Sequence, residues 1–193
     1  MSASPRDGLD RRHRIVTGAD PVGVPEIGQV ADRLAISDVL DAYAQAIDTR
    51  DHDLLRRVFT DDATLDYSEV GGPDGTAAEV LAWLRDSLAQ VGPGQHVITN
   101  RRIVMDSVDD GAVDDGAVDG AVGDTARCNS YLFNPLALYD GRGDHVLLML
   151  GGSYDDRLRR TPDGWRISDR VHHVAWTFVR TDPTILAPDP NEA

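Results

Sequence analysis

The chain has 193 residues, one cysteine and a formal net charge of -14 at pH 7. This length suits one domain with its own core, and the lone Cys128 excludes an internal disulfide framework and a multi-cysteine zinc site. The negative charge disfavours nucleic acid and anionic lipid as partners, and no apolar run is long enough to cross a bilayer. We expect a soluble, cytoplasmic protein.

Three segments lack the pattern of a folded element. Residues 1–25 are polar, rich in Gly, Pro and Arg and without a period, which predicts a flexible N-terminal arm. Residues 183–193 read as a C-terminal tail. Within 107–124 the word DGAV occurs three times, and its Gly and Asp content predicts a solvated loop. Residues 26–182 are left as a single domain.

The first half of that domain is predicted to be mainly helical. Apolar residues from Leu34 to Ile47 recur at helical spacing and predict an amphipathic helix over about 29–48. A second short helix follows, with Leu54, Leu55, Val58 and Phe59 on its apolar side. Residues 63–70 then predict a strand and 71–75 a turn. Thr76 and Glu79 match a capping box that opens a third helix through Leu88.

The second half is predicted to be a run of strands. Four long segments rich in apolar and β-branched residues are separated by short turn signals, and they cover 95–107, 125–139, 145–161 and 164–179. The order is therefore helix, helix, strand, helix and four antiparallel strands. Helices segregated from a meander predict an α+β domain whose helices pack on one face of a curved sheet.

Several words in this order resemble one protein family. The stretch from Ile36 to Ser68, the word GQHVITN at 94–100 and the word YDDRLRRTPDGWRISDR at 154–170 are similar to the SnoaL-like branch of the NTF2-like superfamily. This branch includes scytalone dehydratase and bile acid 7α-dehydratase. The resemblance implies the NTF2-like cone, in which three N-terminal helices pack on a curved, mostly antiparallel sheet. It also implies a homodimer or homotrimer.

The resemblance implies a catalytic set, residue by residue. A tyrosine and an aspartate five apart on the first helix match Tyr43 and Asp48, a histidine after the third helix matches His96, and a tyrosine at the end of the first strand matches Tyr67. Scytalone dehydratase has a second histidine in a later strand. In this sequence the candidates near the corresponding place are Asn129 and Asn134. Further candidates for substrate binding are Tyr131, Tyr154, Arg170 and Trp176.

The chemistry of these residues suits proton transfer. Histidine has an unperturbed pKa near physiological pH, and a carboxylate can hold one ring nitrogen while the other accepts a proton. Neutral tyrosines can hold an enolate-like oxygen or protonate a leaving hydroxyl. The set therefore indicates abstraction of a proton next to a carbonyl, followed by loss of water or by proton return, with no metal or cofactor required.

Three functions are consistent with the sequence. The first is a cofactor-independent dehydratase or isomerase acting on a hydrophobic, hydroxylated or keto polycyclic molecule, with His96 as base and Asp48 as its orienting partner. The second is a polyketide or terpenoid cyclase or an epoxide hydrolase, with Asp48 as the acid or base. The third is a non-catalytic small-molecule-binding protein, which predicts that Asp48 and His96 point apart. The five-residue spacing sets Tyr43 about 140° from Asp48 around the helix. The two side chains can therefore serve one pocket only if that pocket opens across the end of the helix.

Overall fold

The computed structural model describes residues 24, 25, 27–107, 122–139 and 145–181. Most of the predicted arm, most of the DGAV loop and the whole predicted tail lie outside these segments. The elements in chain order are α1 (Ile27–Thr49), α2 (His52–Val58), β1 (Phe59–Asp66), a 3-10 turn (Ser68–Val70), β2 (Asp74–Thr76), α3 (Ala77–Leu88), β3 (Val97–Ser107), β4 (Val122–Tyr139), β5 (His145–Thr161) and β6 (Gly164–Thr181).

Within the described segments the strands form one sheet in the order β2-β1-β6-β5-β4-β3. β3 to β6 form an antiparallel meander, while β1 pairs with β6 in parallel and with β2 antiparallel. The helices pack on one face, which we call the inner face, and the core joins apolar side chains of the helices to those of the strands. The predicted α+β cone with three helices on a mostly antiparallel sheet is confirmed.

The buried stripe of α1 explains how this helix docks. Ile36, Leu40, Tyr43 and Ile47 follow one another at intervals of three or four residues and are almost completely buried. The predicted range of about 29–48 is close to the observed one. Leu34 was expected in the stripe but is 62% exposed, because two residues along a helix turn it roughly 200° away from Ile36.

The end of α1 is fixed by backbone hydrogen bonds. Arg50 adopts a left-handed conformation (φ 58°), and its N–H donates to Ile47 O at 3.2 Å, while the N–H of Asp51 donates to Ala46 O at 2.9 Å. This is the Schellman arrangement that ends a helix. Asp51 then caps α2 by accepting from the N–H of Leu54. Asp48 therefore lies in the last turn of α1.

Three predicted boundaries were wrong. β1 begins at Phe59 and ends at Asp66, rather than spanning 63–70, because Phe59 pairs with β6 instead of continuing α2. β2 replaces part of the predicted turn at 71–75, since β1 supplies hydrogen-bond partners to a short Asp-Gly-Thr segment of turn-like composition. β4 begins at Val122, inside the predicted DGAV loop.

The predicted capping box of α3 is present. The side chain of Thr76 accepts from the N–H of Glu79, and the Glu79 carboxylate accepts from the N–H of Thr76 at 2.9 Å. The hydrogen bond from the Thr76 N–H first, and then one that the Thr76 hydroxyl donates to the same carboxylate, lower the pKa of Glu79. The box satisfies two of the amide groups that a helix start leaves without partners and so fixes where α3 begins.

Bulges bend the strands around the helices. In β3 the pairing with β4 shifts between Thr99 and Arg102, where Asn100 has a positive φ of 52°. In β6 the pairing with β5 shifts at Ala175, between Val174 and Trp176. An extra residue turns the following side chains to the other face and increases local twist, which curves the sheet.

We expect Gly152→Ala to destabilise the protein, because the new Cβ would lie 2.1 Å from the backbone oxygen of His173 on the neighbouring strand. Backbone must shift to relieve such a contact, so the free energy of unfolding should fall by roughly 1–3 kcal/mol or more. Urea unfolding followed by circular dichroism measures the change. Gly28→Ala is the control: nothing lies within 4 Å of its Cβ in α1, so stability should hold or rise slightly. Equal effects of the two substitutions would contradict the packing argument.

Candidate active site

A cavity of about 340 Å³ lies between the helices and the inner face of the sheet, and we call it the inner cavity. Its size is at the lower end of ligand pockets, which span roughly 300–1,000 Å³. Leucine, isoleucine and valine side chains with Trp83 form most of its wall. Its main polar residues are Tyr43, Tyr67, His96, Asn134, Tyr154 and His172.

Asp48 and His96 form a hydrogen-bonded pair beside this cavity. The two side chains meet with 2.7 Å between Asp48 Oδ1 and His96 Nδ1, and the carboxylate also accepts from the backbone N–H of His96 at 2.9 Å. The predicted strand over 95–107 included His96, but β3 begins at Val97, so His96 lies immediately before it. The pair thus ties the last turn of α1 to the entry of β3. The contact expected between these two residues is present, and their catalytic roles stay predictions.

The pair orients the imidazole of His96. A carboxylate accepts hydrogen bonds, so Nδ1 carries the proton and Nε2 keeps its lone pair. Asn134 Nδ2 lies 3.2 Å from His96 Nε2, and the amide in this orientation donates to it. His96 lines the inner cavity, whereas Asp48 lines a neighbouring depression of about 410 Å³ that also includes His96. Asp48 therefore stands behind the histidine.

Three tyrosine hydroxyls meet at the wall of the inner cavity. Tyr43 Oη lies 2.9 Å from Tyr67 Oη and 3.4 Å from Tyr154 Oη, and all three residues line the inner cavity. Burial raises the pKa of each hydroxyl well above its ordinary value, so all three are neutral at pH 7. Within the described segments, two mutual hydrogen bonds use two of the three protons. The third proton is available to an oxygen atom of a ligand.

Arg170 is placed beneath this cluster, not in the cavity wall. Its guanidinium is fully buried and donates to both oxygens of Asp156, at 2.7 and 2.9 Å, from directly across the β5–β6 pair. The rings of Tyr43 and Tyr154 cover it at 4.1 and 4.0 Å. Burial, the largest single effect, lowers the pKa of Arg170, but Asp156 together with the neighbouring tyrosines outweighs burial and raises it. Arg170 was expected to contact substrate directly, but it does not line the cavity and instead lies under the tyrosine rings.

Three other predicted substrate-binding residues face away from the inner cavity. Tyr131 and Trp176 are 54% and 48% exposed and line a groove of about 680 Å³ on the outer face of the sheet. Asn129 lies on the same face of β4 as Tyr131, and its amide donates to Asp155. On β4, Ser130, Leu132 and Asn134 point inward because side chains alternate. Asn134, and not Asn129, therefore stands beside His96, and Tyr154 is the remaining strand candidate in the cavity.

His172 is a cavity residue that sequence reasoning did not select. It is 6% exposed. The centroid of its ring lies 5.4 Å from that of Tyr67 and 4.8 Å from that of Tyr154. Burial first, then the charge of Arg170, lower its pKa to about 3. Its neighbour His173 points to the outer face, where it pairs with Glu69. The adjacent histidines of a strand were the available signal, since one of them must face inward.

Cys128 is a small buried thiol. It is 1% exposed, and burial raises the pKa of its thiol to about 12. A thiol with so high a pKa is a poor nucleophile. Across the described residues, no three His, Cys, Asp or Glu side chains converge as metal ligands do. None of the helices described combines the length and apolarity needed to cross a membrane.

The fold and the cavity place the chain in the class of α+β cones with a pocket between helices and sheet. Residues 28–171 match the SnoaL-like domain, so the chain belongs to the SnoaL-like family. An uncharacterised protein of Mycobacterium tuberculosis, Rv2910c, is 37% identical over 145 residues, which cover 75% of this chain and 86% of that protein.

Solved structures share the fold. The Kfla4162 protein of Kribbella flavida is 27% identical, with a TM-score of 0.63 over 78% of this chain and 95% of that one. A hexachlorocyclohexane dehydrochlorinase, LinA-type3 of Novosphingobium barchaimii, is 16% identical, with a TM-score of 0.62 over 86% of this chain and 100% of that one. At this identity the second likeness shows the fold alone.

We expect Arg170→Met to lower the free energy of unfolding by about 3–5 kcal/mol, because it leaves Asp156 buried without its partner. The double substitution with Asp156→Leu should cost less than the sum of the single ones. Urea unfolding is the measurement. Arg159→Met serves as control, because its pair with Asp62 is at the surface and its loss should leave the midpoint unchanged. Equal midpoints for Arg170→Met and Arg159→Met would contradict this account.

His172 also predicts a pH dependence of stability. Its folded pKa of about 3 lies below the ordinary 6.5, so between these values the unfolded chain binds a proton that the folded chain does not. Stability should therefore fall as the pH drops below 6.5, with a slope approaching about 1.4 kcal/mol per pH unit. Unfolding curves of the wild type and His172→Gln from pH 7 to 4 measure the difference.

The variant should lose that slope. His173 should change stability with pH in the opposite direction, which provides an internal check. Its hydrogen bond to Asp155 raises its pKa, so its contribution to the free energy of unfolding is lost as the pH rises through the folded pKa. Parallel pH profiles for wild type and His172→Gln would rule out a neutral, buried His172.

Proposed function

We propose that this protein is a cofactor-independent acid–base enzyme, a dehydratase or isomerase, acting on an uncharged and mostly apolar hydroxylated or keto molecule. The observation that carries the proposal is the hydrogen bond from His96 Nδ1 to Asp48, which leaves Nε2 as a base at the wall of an apolar cavity. Three neutral tyrosine hydroxyls belong to residues that line the same cavity.

The reaction begins at His96, once the incoming substrate displaces the Asn134 amide that donates to Nε2. Nε2 takes the proton from the carbon next to a carbonyl, and the C–H electron pair forms an enolate. The tyrosine hydroxyl whose proton is not used within the cluster donates a hydrogen bond to the enolate oxygen, and Asp48 stabilises the imidazolium. The imidazolium then gives its proton either to a leaving hydroxyl, which departs as water, or to another carbon. The first outcome is dehydration and the second is isomerisation.

The geometry supports His96 rather than Asp48 as the base. Asp48 lies behind the histidine and is not part of the inner-cavity wall. Its oxygens already accept from the ring and the backbone N–H of His96. This arrangement disfavours a cyclase or epoxide hydrolase in which Asp48 itself contacts substrate. The non-catalytic alternative expected the two side chains to point apart, whereas they are in contact.

The cavity supports the substrate class. Its volume of about 340 Å³ and its aliphatic wall suit a ligand of two or three small rings. No carboxylate or guanidinium in the described segments lines it, which favours an uncharged ligand. The dehydrochlorinase among the structural neighbours carries a name that denotes an elimination, and the same scaffold can therefore serve a lyase.

The expected homodimer or homotrimer stays a prediction. We propose the outer face of the sheet as the contact surface, because Phe133, Trp176 and Phe178 are each at least 40% exposed there or along its edge. Exposed aromatic groups of this kind are typical of protein–protein interfaces. Sedimentation of the full chain, with Trp176→Ser as comparison, tests this assignment.

The proposed chemistry is testable without the natural substrate. We expect the protein to accelerate exchange of the acidic C–H of 2-tetralone, a two-ring ketone, with solvent deuterium. His96→Gln should slow this exchange by roughly 10²–10⁴-fold because it removes the base. Asp48→Asn should slow it less, since the ring loses only the partner of Nδ1. Proton NMR in deuterium oxide follows the exchange.

His52→Gln is the control for this experiment, because His52 is exposed at the start of α2 and does not line the cavity. It should exchange 2-tetralone at the wild-type rate. Melting temperatures show whether each variant is folded. A folded His96→Gln protein with wild-type exchange would remove the basis of the proposal.

A further inference from the structure

His172 has no hydrogen-bond partner for either ring nitrogen among the described residues. Both Nδ1 and Nε2 are inaccessible to solvent, and the residue is 6% exposed. Buried polar groups are nearly always paired, because an unmade hydrogen bond destabilises the folded state. An orphaned donor and acceptor at a cavity wall therefore indicates a partner that is supplied by a ligand.

The neighbouring protein groups cannot fill this gap. The closest aromatic neighbours, Tyr67 and Tyr154, present their rings to His172. Their hydroxyls are both directed to Tyr43. His173, next in the chain, points to the outer face. Other atoms of His172 line the inner cavity, so a polar atom in that cavity reaches a ring nitrogen when the imidazole turns toward it.

We infer that His172 binds a second oxygen function of the substrate, an uncharged hydroxyl or carbonyl, in the same cavity that His96 lines; this inference rests on the proposed function. The contacts run from His96 to Tyr43, from Tyr43 to Tyr67 and Tyr154, and from these two to His172. The tyrosine cluster therefore contacts both histidines.

The chemistry of this position selects an uncharged group. Burial, reinforced by the charge of Arg170, lowers the pKa of His172 to about 3, so its ring is neutral and offers one donor and one acceptor. A carboxylate would require a cation, and the nearby Arg170 is already paired with Asp156. A hydroxyl can both donate and accept. The substrate is then an apolar body with one oxygen held by the tyrosines and a second held by His172.

A matched pair of ligands tests this inference. 2-Tetralone has one carbonyl, and 6-hydroxy-2-tetralone adds a hydroxyl on the far side of the same ring system. We expect the wild-type protein to bind the hydroxylated compound roughly three- to tenfold more tightly, the value of one hydrogen bond. His172→Leu should bring the two affinities together, whereas His172→Gln should keep part of the preference. Isothermal titration calorimetry measures both.

A second readout excludes a merely structural effect. The ¹⁵N resonances of the His172 ring should shift on addition of 6-hydroxy-2-tetralone and stay in place with 2-tetralone. His96→Gln should keep the affinity ratio while losing deuterium exchange, so the inference and the proposed function can fail separately. Equal wild-type affinities for the two ketones, or an unchanged preference in folded His172→Leu, would overturn the role of His172.

Discussion

The buried ion pair of Arg170 and Asp156 is the constraint on which the site depends. A guanidinium and a carboxylate without water are stable only with good geometry, and here two hydrogen bonds join adjacent strands while two tyrosine rings cover the cation. The rings of Tyr43 and Tyr154 are held in place by that contact, and their hydroxyls converge because their rings are fixed. The charge thus positions neutral hydroxyl donors without itself being part of the cavity wall.

The Asp48–His96 pair depends on a second constraint, the way α1 ends. The left-handed Arg50 stops the helix about two turns after Tyr43, so Asp48 projects at the helix end and reaches the backbone and ring of His96. Tyr43 faces the core from the same helix, and its ring meets the imidazole edge to face at 6.3 Å. Two side chains about 140° apart can therefore serve one imidazole, since His96 lies across the end of the helix.

The curvature of the sheet decides which groups the cavity contains. Bulges change the phase of alternation, so aromatic residues on the same strands divide between two faces. Tyr154 and His172 line the inner cavity, while Tyr131 and Trp176 line the outer groove. The inner face has the features of a site for a small, uncharged molecule, whereas the outer face exposes aromatic side chains. The orphaned nitrogens of His172 belong to the first face, which is why we connect them with a ligand.

The sequence by itself determined the order of elements, the α+β class, the docking stripe of α1 and the capping box of α3, because these depend on local spacing of apolar and polar residues. It also indicated Tyr43, Asp48, Tyr67 and His96 through resemblance to a family. The tertiary structure alone decided that Asn134 and not Asn129 adjoins His96, that Arg170 is enclosed, and that His172 completes the cavity. Strand side chains change face by one residue of register, and bulges between distant segments set that register, so no local pattern records it.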